Sequence, residues 1–130
     1  MIIITDSADL MKAYFEYGPP KKYAYVDFLP EDVVIRILTS RFKIEFAVVY
    51  TAGKSGYHIY TGRSSSVDIP LSKVDILLKH SHPMGTPQPS KADHDWLVLA
   101  KSLGSPQEKS IILPHRSERI AFRINTPYLT

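Results

Sequence analysis

Apolar positions along the chain fall into short blocks, some at helical spacing and others alternating or continuous as in strands, divided by proline, glycine and polar clusters. Asp6 or Ser7 can cap a first helix in which Leu10, Met11, Tyr14 and Phe15 recur on one face, and Gly18-Pro19-Pro20 stops it. Residues 23–28 read as a strand. After Pro30, with Glu31 in the first turn, Val33, Val34, Ile37 and Leu38 predict a second helical face, although their β-branched content leaves a strand open.

Strand patterns dominate the middle of the chain. Glu45-Phe46-Ala47-Val48-Val49-Tyr50 is a continuous β-branched and aromatic run, ended by the turn-like Ala52-Gly53-Lys54-Ser55-Gly56, and residues 57–60 return as the second arm of a hairpin. Residues 67–69 predict a short strand and residues 74–80 a longer one. The loop 83–89 holds three prolines and a glycine; each proline fixes φ and removes a donor, so the loop is expected to be stiff. A helix over 91–103 would bury Trp96, Leu97, Ala100 and Leu103, and residues 109–113 and 119–124 read as closing strands.

These elements predict an α/β fold in the broad sense, a mixed and curved central sheet with the 91–103 helix on one face and the earlier helices packed around it. Strand order stays open. The 130 residues suit a single domain, and 44% hydrophobic content is enough for a core without disulfides. The motif-bearing core is expected over about 30–125, with the first 28 residues as an addition.

Composition narrows the chemistry. With no cysteine, thiol nucleophiles, thiolate-bound zinc and disulfides are excluded. The 16 basic and 13 acidic residues leave a net charge of +3 with no long run of one sign, which argues against a nucleic-acid partner. The apolar start Met1-Ile2-Ile3-Ile4 is cut off by Thr5-Asp6-Ser7, and no stretch approaches 18 apolar residues, so no membrane partner and a cytoplasmic location are the expectations.

One constellation carries candidate chemistry: His80-Ser81-His82-Pro83, then Ser90 and Asp93. On a strand, side chains at i and i+2 share a face, so both imidazoles can reach one ion and Asp93 can complete a set of three ligands. Three protein ligands leave the fourth tetrahedral position of Zn²⁺ open, as in catalytic rather than structural sites. Each residue also has a bland reading. A lone His-x-His pair is more often surface decoration, Ser90 and Asp93 form the S-x-x-D pattern that caps many inert helices, and a glutamate in a strand usually faces solvent. His58 and His115 read as surface residues, and His94 projects about 100° away from Asp93 on the helix.

His80, Ser81, His82, Pro83, Ser90 and Asp93 together match the H-x-H-P-x6-S-x2-D core of the JAMM (MPN-plus, JAB-like) metallopeptidases, which this chain therefore resembles over about residues 45–123. The resemblance implies a JAB/MPN-like (cytidine-deaminase-like) curved sheet and one Zn²⁺ held by His80, His82 and Asp93. It implies too that an upstream strand glutamate handles the proton of the attacking water; Glu45 is the candidate, and Glu16 and Glu31 fit less well. Ser90 would steady the oxyanion. Thirteen residues separate Tyr60 from Val74, so the helix that usually precedes the histidine strand in eukaryotic members is expected to be reduced or absent. The loop from Pro83 to Ser90 looks more like bacterial JAB proteins, including the RadC group and toxin-associated domains. The implied partner is a protein or peptide substrate, with ubiquitin-like tails among the candidates. The alternative is a non-catalytic MPN-type scaffold that binds a peptide tail by strand addition, or a RadC-like protein of unsettled activity.

Overall fold

A computed structural model describes residues 4–51, 53, 55–84 and 88–125. Residues 1–3, two positions of the expected 52–56 turn and Gly85, Thr86 and Pro87 of the proline loop lie outside the described residues. The elements run α1 (Ser7–Tyr17), β1 (Tyr23–Val26), α2 (Asp32–Phe42), β2 (Phe46–Tyr50), β3 (Tyr57–Thr61), β4 (Ile76–Ser81), α3 (Lys91–Ser102), β5 (Lys109–Leu113) and β6 (Ile120–Arg123).

Local signals account for the helix ends. The Asp6 carboxylate accepts from the backbone N–H of Asp9, and α1 stops at Gly18, whose φ of 79° is open to glycine at little cost. The second block is a helix, not a strand. Its buried face is Val34, Ile35, Leu38 and Thr39, whereas Val33 and Ile37 are exposed, so the stripe is rotated by about one residue, or about 100°, from the predicted one. In α3, Leu97 and Ala100 are buried as expected; Leu103 is exposed because the helix ends at Ser102 and Leu103 serves as its C-cap.

The six strands form one open mixed sheet in the order β1-β3-β2-β4-β5-β6. Every neighbouring pair is antiparallel except β4 with β5, which is parallel because α3 forms the crossover between them. The class expected for the fold is thus met: among the described residues the chain is mixed α+β, with a six-stranded sheet and three helices. Residues 67–69 are not a strand. Val67 and Ile69 lie on the connection from β3 to β4 and pack on Ala47, Val49 and Leu77, so their burial comes from covering the sheet rather than extending it.

Alternation along β2 divides the interior in two. Phe46 and Val48 join Leu10, Tyr14, Val34, Ile35, Leu38 and Ile59 under α1 and α2. The first 28 residues therefore contribute to the main core. Ala47 and Val49 face the other way, where Leu77, Trp96, Leu97, Ile112 and Phe122 pack under α3. Both faces of β2 are covered, which explains its uninterrupted apolar run. Among the described residues no helix is long and apolar enough to cross a membrane.

Candidate metal centre

The site forms where three chain segments end on the α3 face. In the antiparallel pairing of β2 with β4, Ala47 lies opposite His80, so Glu45, just before β2, lies beside His82, just after β4. The register shifts between Val48 and Val49: Val48 pairs with Lys79 and Val49 with Leu77, leaving Leu78 as the extra residue of a bulge. Such a bulge changes the phase of a strand. It lets Leu77 pack with Trp96 on the α3 face, turns Lys79 to Pro30 and Asp32 on the α2 side, and returns His80 to the α3 face.

His80, His82 and Asp93 lie together. His80 Nε2 lies 2.9 Å from Asp93 Oδ1, His82 Nε2 lies 3.2 Å from Asp93 Oδ2, and the two ring nitrogens are 3.1 Å apart. Tetrahedral Zn²⁺ with bonds of 2.0–2.1 Å holds its ligand atoms about 3.3 Å from one another; the two imidazole nitrogens stand near that spacing, and each faces a different oxygen of the Asp93 carboxylate. Protons on the rings can satisfy both contacts to the carboxylate, yet they leave two nitrogens of like polarity facing at 3.1 Å. A cation between the three donors satisfies every contact at once, and the residues present fit Zn²⁺.

Asp93 is aimed by its helix. Ser90 is the N-cap of α3: its hydroxyl accepts from the Asp93 N–H at 3.2 Å, and Asp93 Oδ2 accepts from the Ser90 N–H at 2.9 Å. The inert reading of S-x-x-D is therefore true as well, and the cap holds the carboxylate in place. Burial acts to raise the pKa of Asp93, but hydrogen bonds from His80 and His82, the charge of His80 and the Ser90 N–H outweigh it and hold the carboxyl well below the usual carboxylate range.

Glu45 offers a carboxylate oxygen within 4.8 Å of the ring nitrogens of His80 and His82. It is 7% exposed, and burial pushes its pKa up to about 7, with His80 and His82 pulling down and Asp93 adding to the rise. Its backbone is fixed on both sides: Glu45 N–H donates to Arg63 O and Gly62 N–H donates to Glu45 O, each at 2.8 Å. A side chain at Gly62 would meet Glu45 O at 2.8 Å and Ser66 O at 2.5 Å, so only glycine lets the chain pass this close.

The His80 ring stands edge-on to Phe122 at 6.1 Å, and its buried Nδ1 has no hydrogen-bond partner among the described residues. Packing rather than a second hydrogen bond orients it. A cleft of about 80 Å³ runs along the site, bounded by Glu45, His80, Ser90, Asp93, Trp96 and the connection through Ser65, Ser66, Val67 and Ile69. That connection is pinned where Trp96 Nε1–H donates to Ile69 O at 3.2 Å. No local pattern marked these wall residues, because they reach the site only by crossing the sheet. His58 sits away from the site against Tyr23 and Tyr25, and His115 is exposed.

Comparison of the chain with family models, with curated proteins and with solved structures found no match.

Proposed function

We propose that this chain is a zinc-dependent peptidase or isopeptidase of the JAMM kind, with His80, His82 and Asp93 as metal ligands, Glu45 as general base and Ser90 as oxyanion support. The observation that carries the reading is the cluster of His80 Nε2, His82 Nε2 and the two Asp93 carboxylate oxygens, with contacts of 2.9 to 3.2 Å, and a buried carboxylate of raised pKa beside it. A bound Zn²⁺ supplies Lewis acidity for a carbonyl oxygen and lowers the pKa of a coordinated water to about 7.

The remaining chemistry belongs to the chain. The Glu45 carboxylate accepts a proton from the attacking water as the new C–O bond forms, and returns it to the amine as the C–N bond breaks. Its near-neutral pKa suits both roles, since the same group must take and give a proton near pH 7. Ser90 Oγ accepts from Asp93 N–H, which leaves its hydroxyl hydrogen available for the oxyanion. Trp96, Val67 and Ile69 line an apolar wall that limits water beside the reacting groups.

Elemental analysis of the purified chain tests the foundation. One zinc per chain, lost in His82→Ala and Asp93→Ala, is expected; no metal after zinc is supplied would overturn the reading. Cleavage of peptide and isopeptide substrates with ubiquitin-like tails tests the rest. Uptake of zinc with tail binding but no turnover would point to the scaffold alternative.

A further inference from the structure

We propose that Ser81, backed by Thr39, is a positioning residue for this centre: a buried hydroxyl chain on the opposite face of the sheet sets the rotation of His80 and His82 and the reach of Glu45. The inference rests on the metal-site reading above.

Ser81 stands between the two ligands and points away from them, so its side chain lies on the α2 side while both imidazoles lie under α3. It is 1% exposed and Thr39 is 5% exposed. Ser81 Oγ accepts from the backbone N–H of Phe46 at 3.0 Å and lies 2.6 Å from Thr39 Oγ1, which is 2.7 Å from Ile35 O. Each hydroxyl has one hydrogen, and two arrangements use each once: Thr39 O–H donates to Ser81 and Ser81 O–H to the Phe46 carbonyl at 3.5 Å, or Ser81 O–H donates to Thr39 and Thr39 O–H to the Ile35 carbonyl; in both, Ser81 accepts from Phe46 N–H. All three buried groups are then satisfied without water.

Location gives this chain its consequence. Backbone pairing of β2 with β4 is present at Ala47 and His80, and beyond it the side chain of Ser81 takes the Phe46 N–H. That one contact joins the residue between the ligands to the residue after Glu45. On its other side β4 is held to β5 through His82 N–H to Leu113 O at 3.0 Å. Arg36, one turn before Thr39 on α2, donates to Pro114 O at 2.6 Å and Ser117 O at 2.8 Å. The helix thus holds β4 through Thr39 and the loop that follows β5 through Arg36. Rotating β4 at Ser81 moves both imidazoles in the same sense and opens the spacing of three donors together.

Zn²⁺ affinity, measured by chelator competition on the full chain, and the visible spectrum of the Co²⁺-loaded protein form the test. Ser81→Ala is expected to weaken Zn²⁺ binding by roughly 10–100-fold, as loss of a group that orients ligands does, and to shift the Co²⁺ bands. Ser81→Thr restores the hydroxyl, and the neighbouring cleft of about 60 Å³ bounded by Arg36, Thr39 and Ser81 has room for its methyl group. It is expected to bind like wild type. Thr39→Val, which keeps shape and removes only the hydroxyl, is expected to weaken binding less than Ser81→Ala. Folded Ser81→Ala with wild-type affinity and an unchanged Co²⁺ spectrum would overturn the inference and leave the site intact; if that variant does not fold, wild-type affinity in Thr39→Val has the same force. Wild-type protein that binds neither metal would sink the site and this inference together.

Discussion

The two faces of the sheet at the end of β4 treat buried polar groups in opposite ways. On the α2 side, Ser81, Thr39 and the Phe46 N–H satisfy one another in a short hydrogen-bonded chain, and the surroundings are the main apolar core. On the α3 side, the His80 and His82 nitrogens each face one oxygen of the Asp93 carboxylate, and a second carboxylate, Glu45, lies close to both histidines. Buried polar groups that pair hold a fold together; a convergent set of imidazoles and carboxylates can also hold a cation. A one-residue alternation along 80, 81 and 82 therefore joins a structural device to a chemical one.

The sharpest way to break this contrast is Glu45→Gln. The variant keeps all three ligands and is expected to retain zinc while peptide cleavage falls by about 10²–10⁴-fold, the usual worth of a general base. Retained turnover would remove Glu45 from the chemistry.

Core truncations separate the faces next. Leu10→Ala and Leu97→Ala each empty a fully buried site and should cost about 2–5 kcal/mol in denaturant unfolding. Only Leu97→Ala, on the helix that carries Asp93, is expected to weaken zinc binding as well; equal effects on metal affinity would dissolve the distinction.

Titration adds a smaller effect of known sign. In the metal-free protein, Glu45 has a folded pKa of about 7 against an ordinary 4.5, so the folded form holds more protons between these values and stability falls as pH rises through that window. Glu45→Gln should stabilise the metal-free chain at pH 8 by on the order of 3 kcal/mol and hardly at all at pH 4, as read from unfolding midpoints. Asp93 runs the other way: its contribution is present above the ordinary carboxyl pKa of 3.8 and is lost as pH falls below it. The smallest effect is expected for Ser90→Ala, where loss of the cap bond should cost about 1 kcal/mol of stability. A loss of turnover larger than that stability change would support the oxyanion role.

Much of the local structure was legible. Asp6, Gly18 and Ser90 mark helix ends because capping acts within four residues, and the 45–50 run announced a strand. His80, His82 and Asp93 were readable as a group because strand alternation and a cap geometry place them within a short stretch of chain. Glu45 was different: nothing within its own segment separates a base from a solvent-facing glutamate, and only the resemblance singled it out. Residues 67–69 misled because the alternation Val67-Asp68-Ile69 reads the same whether it pairs with a strand or merely covers one. The rotated face of α2 has a similar cause, since Val33 and Ile35 are equally apolar and only the direction of the sheet decides which is buried.

By itself, the sequence determined the types and approximate limits of most elements, the absence of thiol chemistry and the ligand set proposed for the metal. These depend on bonds and spacings within a few residues. Tertiary structure alone decided the order β1-β3-β2-β4-β5-β6, the bulge at Leu78 that returns His80 to the α3 face, and the placing of Glu45 beside His82. Each requires segments about thirty-five residues apart to pair in one register, and that choice is made by the packing of both faces together rather than by any local preference.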